Sequence, residues 1–193
     1  MLHRVFRAIS GAAPTARGGP LFVPRDRQGA GRHDSPGRYG AFYAARSPES
    51  AVAEVISAFR GRDLSDIDLE LADGSVLALA ACDDRALGPL TDLDDPAVLV
   101  EQGWRPSRVT SRDRAVTQPM AERVFESGGR GLSWWSTLDS AWTNVTLFAE
   151  RTISTGALRV MGIERLSLRH PAVVAAADHL AIPLVTRRGR RRG

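Results

Sequence analysis

The residue types best suited to chemistry lie in Gly29-Ala30-Gly31-Arg32-His33-Asp34, in Tyr39 and Tyr43, in Glu54, and in Gly131-Leu132-Ser133-Trp134-Trp135-Ser136. A guanidinium can bond two phosphate oxygens at once, and the glycines before Arg32 let the backbone come close to an anion. A glutamate among small residues can oppose a positive charge that develops on a reacting carbon. A strand tyrosine offers a ring to stack on and a hydroxyl to bond with. Ser136 has no recognisable histidine base beside it, so it reads as a hydrogen-bond partner rather than a nucleophile. From spacing alone the plainer readings stay open: Glu54 as a solvated helix residue, Arg32 as a surface arginine, Tyr43 as core. Tyr39, in a turn ahead of the strand, is the weaker of the two tyrosines.

Commoner constellations are missing. The four histidines, His3, His33, His170 and His179, pair with no Cys, His or carboxylate at a metal-ligand spacing, so no metal is expected. There is no lysine, hence no GxxxxGK[ST] loop, and neither a GxGxxG fingerprint nor a GxSxG elbow occurs. The single cysteine, Cys82, sits in the apolar run Val76–Cys82 and reads as a buried thiol. One cysteine permits no internal disulfide, which suits a reducing, cytoplasmic setting. No apolar stretch has the length of a membrane helix, and Arg4 and Arg7 precede no secretory hydrophobic region.

The net charge is +4, but five of the 26 basic residues fall in the last seven positions. The remainder therefore has no positive excess, which argues against a broad nucleic-acid-binding face. Residues 187–193 read as a solvated, disordered Arg-rich tail, and residues 1–186 as one folded domain.

The elements that would hold these side chains follow from pattern. His3–Ala8 alternates and suits a first strand, and Ser10–Ala30 is a long Gly- and Pro-rich loop. Gly40–Ala45 is a strand that delivers Tyr43. Ser47 can cap a helix with Pro48 at its first position and Glu49 at its positive end; it should run to about Phe59, with Ala51, Val52, Val55, Ile56 and Phe59 as its apolar side. Asp66–Ala72 and Ser75–Cys82 read as a hairpin around Asp73-Gly74. Helices are expected near Pro96–Gln102, over Gln118–Ser127 and over Ala172–Leu180, and strands over Gly131–Ser136 and Asn144–Glu150. The fold class is α+β, a compact single domain with a mixed sheet.

Over Gly29–Glu54 the order is glycine-preceded arginine, strand tyrosine, then a helical glutamate after small residues. Together with Gly131–Ser136 and Asn144-Val145-Thr146-Leu147-Phe148, this resembles the RES family, over roughly Arg4 to Glu150. His33 departs from the pattern, since an aromatic commonly follows the arginine there. The resemblance implies a fold similar to ADP-ribosyltransferase toxins. It implies an NAD-consuming toxin that cleaves the nicotinamide–ribose bond by phosphorolysis or hydrolysis, with NAD as substrate, inorganic phosphate as a conceivable co-substrate, no permanent cofactor, and an Xre-type helix-turn-helix antitoxin as partner. Glu54, Arg32 and Tyr43 would be catalytic; Arg32, Tyr43, Ser136 and His33 would contact NAD. Arg4 would assist at the pocket floor. Transfer of ADP-ribose to a protein, or a purely binding role, are the alternatives.

Overall fold

The computed structural model describes residues 1–71 and 73–186. The Arg-rich tail foreseen at 187–193 lies outside the described residues.

The chain begins with strand β1 (Leu2–Ala8) and, after a long loop, β2 (Ala41–Ala45) leading into helix α1 (Pro48–Ile56). Next come β3 (Leu64–Ser65), α2 (Asp66–Leu69), β4 (Val76–Asp83), β5 (Thr91–Asp92), α3 (Pro96–Gln102), α4 (Pro106–Val109) and α5 (Arg114–Glu126). Strands β6 (Gly131–Trp135) and β7 (Thr143–Phe148), helix α6 (Ala149–Thr152), β8 (Arg159–Arg165), α7 (Pro171–Leu180) and β9 (Leu184–Val185) complete it. Seven strands form one mixed sheet in the order β5-β6-β7-β2-β1-β4-β8, parallel only between β5 and β6. The class is α+β, as expected.

Helix α1 starts as the sequence requires. Ser47 accepts a hydrogen bond from the Ser50 backbone N–H, and Pro48 needs no partner at the first position. The helix tightens into a 3-10 turn over Ser57–Phe59 and stops ahead of Gly61 (φ 80°). Its buried residues are Ser50, Ala51, Val52, Ala53 and Ile56. Val55, expected on the apolar side, is instead 37% exposed, while Ala53 is fully buried. The reason is that α1 is covered twice, by the sheet (Ala45, Leu79) and by α7 (Ala172, Val173, Ala176, Ala177). Small side chains permit this close approach, and Val52 and Ile56 each stabilise it by about 2 kcal/mol.

The opposite face of β1 and β2 packs Leu2, Phe6 and Phe42 against Leu21, Val145 and Leu147. A third cluster (Tyr39, Leu132, Trp134, Phe148) docks α5 through Met120, Ala121 and Val124.

Two expectations need correction. Residues 66–71 do not form the first arm of a hairpin. Ser65 and Asp68 build a capping box that nucleates α2, leaving Ile67 exposed and Leu69 buried. The second arm and the turn are as read: β4 spans Val76–Asp83, Gly74 (φ 79°) adopts the left-handed conformation, and the Leu71 N–H donates to the Ser75 carbonyl. Helix α5 begins at Arg114 rather than Gln118, because Asp113 caps it by accepting from the Ala115 N–H; Pro119 sits inside the helix. Edge strand β8 has no reading in the sequence, since it is almost wholly exposed and carries no apolar alternation.

Candidate active site

Strands β1 and β2 share one register pair, His3 with Ala45, and then part. A cavity of about 500 Å³ opens beside this split, on the face covered by α1. The size suits a small organic ligand. Register fixes its floor. Ala45, Asn144 and Trp134 lie in one row across β2, β7 and β6, and Tyr43, Thr146 and Leu132 in the next, all on one face. Arg32, Tyr43 and Glu54 line this single cavity, with Arg4, Arg112, Arg114, Trp134 and Asn144. Ser136 and His33 do not line it; both are buried behind its wall.

Glu54 projects from the exposed side of α1. Its Oε1 accepts from Ser136 Oγ at 2.7 Å and from Asn144 Nδ2 at 2.6 Å, both buried on the sheet. Asn144 Oδ1 in turn accepts from Ser50 Oγ at 3.1 Å. The nearby hydroxyls of Ser47 and Ser50 do not touch the carboxylate: Ser47 caps the helix and Ser50 braces Asn144. Two donors on one oxygen leave Oε2 without a hydrogen bond among the described residues and hold the group in one orientation.

Arg32 is held from the far side. Its Nη1 donates to the carbonyls of Val109 (2.9 Å) and Ser111 (2.6 Å), and its guanidinium lies 4.8 Å from the Trp134 ring centre. Nε and Nη2 keep their hydrogens free of bonds among the described residues, which leaves a fork for an anion. Burial first, and repulsion from Arg114 next, lower its pKa, while the Glu54 carboxylate works the other way. Arg32 and Glu54 thus feel each other without forming an ion pair.

The Gly29–Asp34 loop that presents Arg32 is pinned by one face of α5. Arg114 Nε donates to the Ala30 carbonyl, Thr117 Oγ1 to the Arg32 carbonyl, Gln118 Nε2 to those of Gly29 and Gly31, and Glu122 accepts from Ser35 Oγ. These positions are neighbours on a helix surface. Inside the loop, Asp34 Oδ2 accepts from the N–H groups of Gly29 and Gly31, and Oδ1 from the Tyr43 hydroxyl at 2.7 Å. A Cβ on Gly31 would stand 2.5 Å from Asp34 Oδ1 and 2.6 Å from the Tyr43 hydroxyl, so only glycine fits there. The Tyr43 hydroxyl also accepts from the His33 N–H. Burial, then the Asp34 charge, raise its pKa, so it stays a phenol. With the hydroxyl engaged, Tyr43 offers the cavity its ring.

His33 is 2% exposed. It faces Thr146 Oγ1 through Nδ1 (2.8 Å) and meets Trp134 edge-on, and burial keeps it neutral, its pKa pushed well down. Tyr39 is likewise core, donating to the His33 carbonyl. Two buried polar atoms of cavity-lining residues have no partner among the described residues: Trp134 Nε1 and His3 Nδ1. An orphaned buried donor is costly unless something meets it.

Sequence reasoning gave no role to Asp34, Asn144, Arg112, Arg114 or Trp134. Asn144 had a signal, a polar residue inside an apolar strand. The two arginines had none, since surface arginines flanking a cap look the same. The lining therefore sets four arginines against one glutamate, and can bind a polyanion while placing one fixed negative charge against part of it. Among the described residues no group of three or more His, Cys, Asp or Glu could hold a metal ion, and no helix is long and apolar enough to cross a membrane.

Residues 1–169 match the family model described as RES domain. No curated protein matches the sequence. Among solved structures, a chain in the M. tuberculosis MbcT-MbcA toxin-antitoxin complex has a similar fold at 17% identity, with a TM-score of 0.62, over 93% of this chain and 88% of that one.

Proposed function

This chain belongs to the RES domain family, and from that premise we propose that it is an enzyme that consumes NAD by breaking the nicotinamide–ribose bond, with residues 1–186 as its catalytic domain. The observation that carries this reading is the pairing, in one cavity, of a half-free arginine fork with a carboxylate fixed by two buried donors.

In the reaction the C1′–N1 bond breaks and its electron pair stays on the nicotinamide nitrogen, cancelling the pyridinium charge. The ribose is left as an oxocarbenium-like cation. Glu54 stabilises that cation more strongly than the ground state, because positive charge moves onto the sugar only as the bond opens. Arg32, backed by Arg112 and Arg114, holds the pyrophosphate, the Tyr43 ring lies against the base or sugar, and Trp134 Nε1 finds its acceptor on the ligand. Ser136 and His33 act from behind the wall: Ser136 orients Glu54, and His33 supports Tyr43 through its backbone and Trp134 through its ring. An acceptor oxygen from water or phosphate then bonds to C1′ and releases its proton.

The role is that of a toxin, restrained by an antitoxin of the helix-turn-helix, Xre type that covers the cavity. Support for a protein partner comes from the similar fold found within a toxin-antitoxin complex.

The test is to incubate purified protein with NAD, with and without inorganic phosphate, and identify the products by chromatography and mass. Free nicotinamide is expected in both cases, with ADP-ribose if water accepts and ADP-ribose-1″-phosphate if phosphate does. Label carried onto protein would replace this reading with ADP-ribose transfer, and intact NAD would end it.

A further inference from the structure

The other face of the sheet holds a second cavity, of about 330 Å³, beside Phe6 and on the side away from α1. Its walls carry Arg4, Arg7, Arg17 and Arg27, with Phe6 and Phe22 among them. One carboxylate lines it, Asp73, which accepts from the Ser75 hydroxyl and backbone N–H. This concentration of positive charge stands out in a body that, the last seven residues aside, has no basic excess.

Arg4 is the least explained of the four. It makes no ion pair among the described residues. Its Nη1 donates to the Pro20 carbonyl at 3.1 Å, and its guanidinium lies 4.4 Å from the centre of the Phe42 ring. Burial lowers its pKa to about 10, which still leaves it charged at neutral pH. A half-buried cation without a counter-charge is less favourable than a solvated one, and a bound anion relieves it. Among the described residues Arg7 and Arg17 form no ion pair either, and Arg27 forms one, with Asp26 at 3.9 Å, between two exposed side chains.

We infer that this cavity is a second binding site, for a small phosphate monoester whose organic part rests against Phe6 and Phe22. Four arginines against one aspartate suit a dianion better than a carboxylate, and a phosphate monoester approaches two charges at pH 7. Guanidinium forks match phosphate oxygens, and aromatic walls match a planar base. The volume, near the lower end for ligand pockets, fits a mononucleotide-sized molecule rather than a macromolecular segment. Arg4 lines both cavities, but the inference does not depend on the reaction proposed above, since its test reads binding alone and alters only Arg7 and Arg17 of this cavity.

The experiment is calorimetric titration with adenosine monophosphate, inorganic phosphate and adenosine, at constant salt. It is run in an Arg32→Ala background, which weakens anion binding in the first cavity, with circular dichroism to confirm folding. Adenosine monophosphate is expected to bind one equivalent, phosphate more weakly and adenosine not at all. Adding Arg17→Glu, or independently Arg7→Ser, should weaken the monophosphate at least tenfold; both side chains are exposed and outside the core. Binding unmoved by either substitution, or adenosine binding as well as its monophosphate, overturns the site. Phosphate binding as tightly as the monophosphate overturns the assignment of a monoester.

Discussion

The two cavities on either side of the sheet are built from similar material and differ in one respect. Each sets four arginines against a single carboxylate, and Arg4 lines both. In the first, the carboxylate belongs to Glu54, is gripped on one oxygen by Ser136 and Asn144, and turns the other oxygen loose. In the second, Asp73 accepts from its own neighbour Ser75 within a surface turn. Arginines alone give affinity for anions. Chemistry requires an opposing charge held where reacting charge will appear, and that requires donors from the sheet beneath the helix.

The contrast can be broken most sharply at Glu54. Replacing it with Gln keeps the size and the Asn144 contact but removes the charge, and turnover of NAD should fall by roughly 10²–10³, about 3–4 kcal/mol in barrier. Steady-state kinetics checks this, with a melting curve to confirm the fold; unchanged turnover would remove Glu54 from the reaction. Next in size is Ser136→Ala, which deletes one bond to a charged acceptor. A loss of roughly tenfold to a hundredfold, about 1.5–3 kcal/mol, is expected in kcat with KM little moved. Equal loss in kcat and in thermal stability would make Ser136 merely structural.

Gly31→Ala asks whether the arginine's loop needs its close packing. Forcing a methyl against Asp34 and Tyr43 should cost about 1–3 kcal/mol of stability, read as a lower Tm, and raise KM for NAD more than it lowers kcat. An alanine variant as stable as the parent would show that the loop yields.

The smallest expected effect is a pH slope. Burial first, in both cases, lowers the pKa of His33 and of His3 from 6.5. The unfolded chain therefore binds more protons just below pH 6.5, so stability is full above that value and falls as the medium becomes more acidic toward the folded-state values. Urea midpoints between pH 7.5 and 5 should decline, and His33→Asn should flatten the decline whatever it does to absolute stability. An identical slope in the variant would assign the acid sensitivity elsewhere.

Much of this site was legible in the order of residues. The Gly29–Glu54 segment is local: a loop, a strand and a capped helix, each written in turn and cap residues whose preferences act over a few positions. Arg32, Tyr43 and Glu54 could be named from the order of these elements and its resemblance to the RES family, since spacing alone leaves each open to a plainer reading. Asp34 could not, although it is two residues from Arg32, because a loop carboxylate shows its partners only when the loop is folded. Asn144 and Ser136 lie more than eighty residues from the glutamate they hold. Arg112 and Arg114 come from a different helix start, and their place on the cavity depends on how α5 docks.

By itself the sequence determined the longer strands β1, β2, β4, β6 and β7, the cap of α1 and, through the family pattern, the identity of the three principal side chains, because these rest on short-range conformational preference and on that pattern. Tertiary structure alone decided that β1 and β2 part after one register pair, that α1 is covered on two sides so that Val55 turns outward, and that two buried donors fix Glu54. The physical reason is that strand register and helix docking are long-range choices. They are settled by which faces can be buried together, and no window of neighbouring residues contains that information.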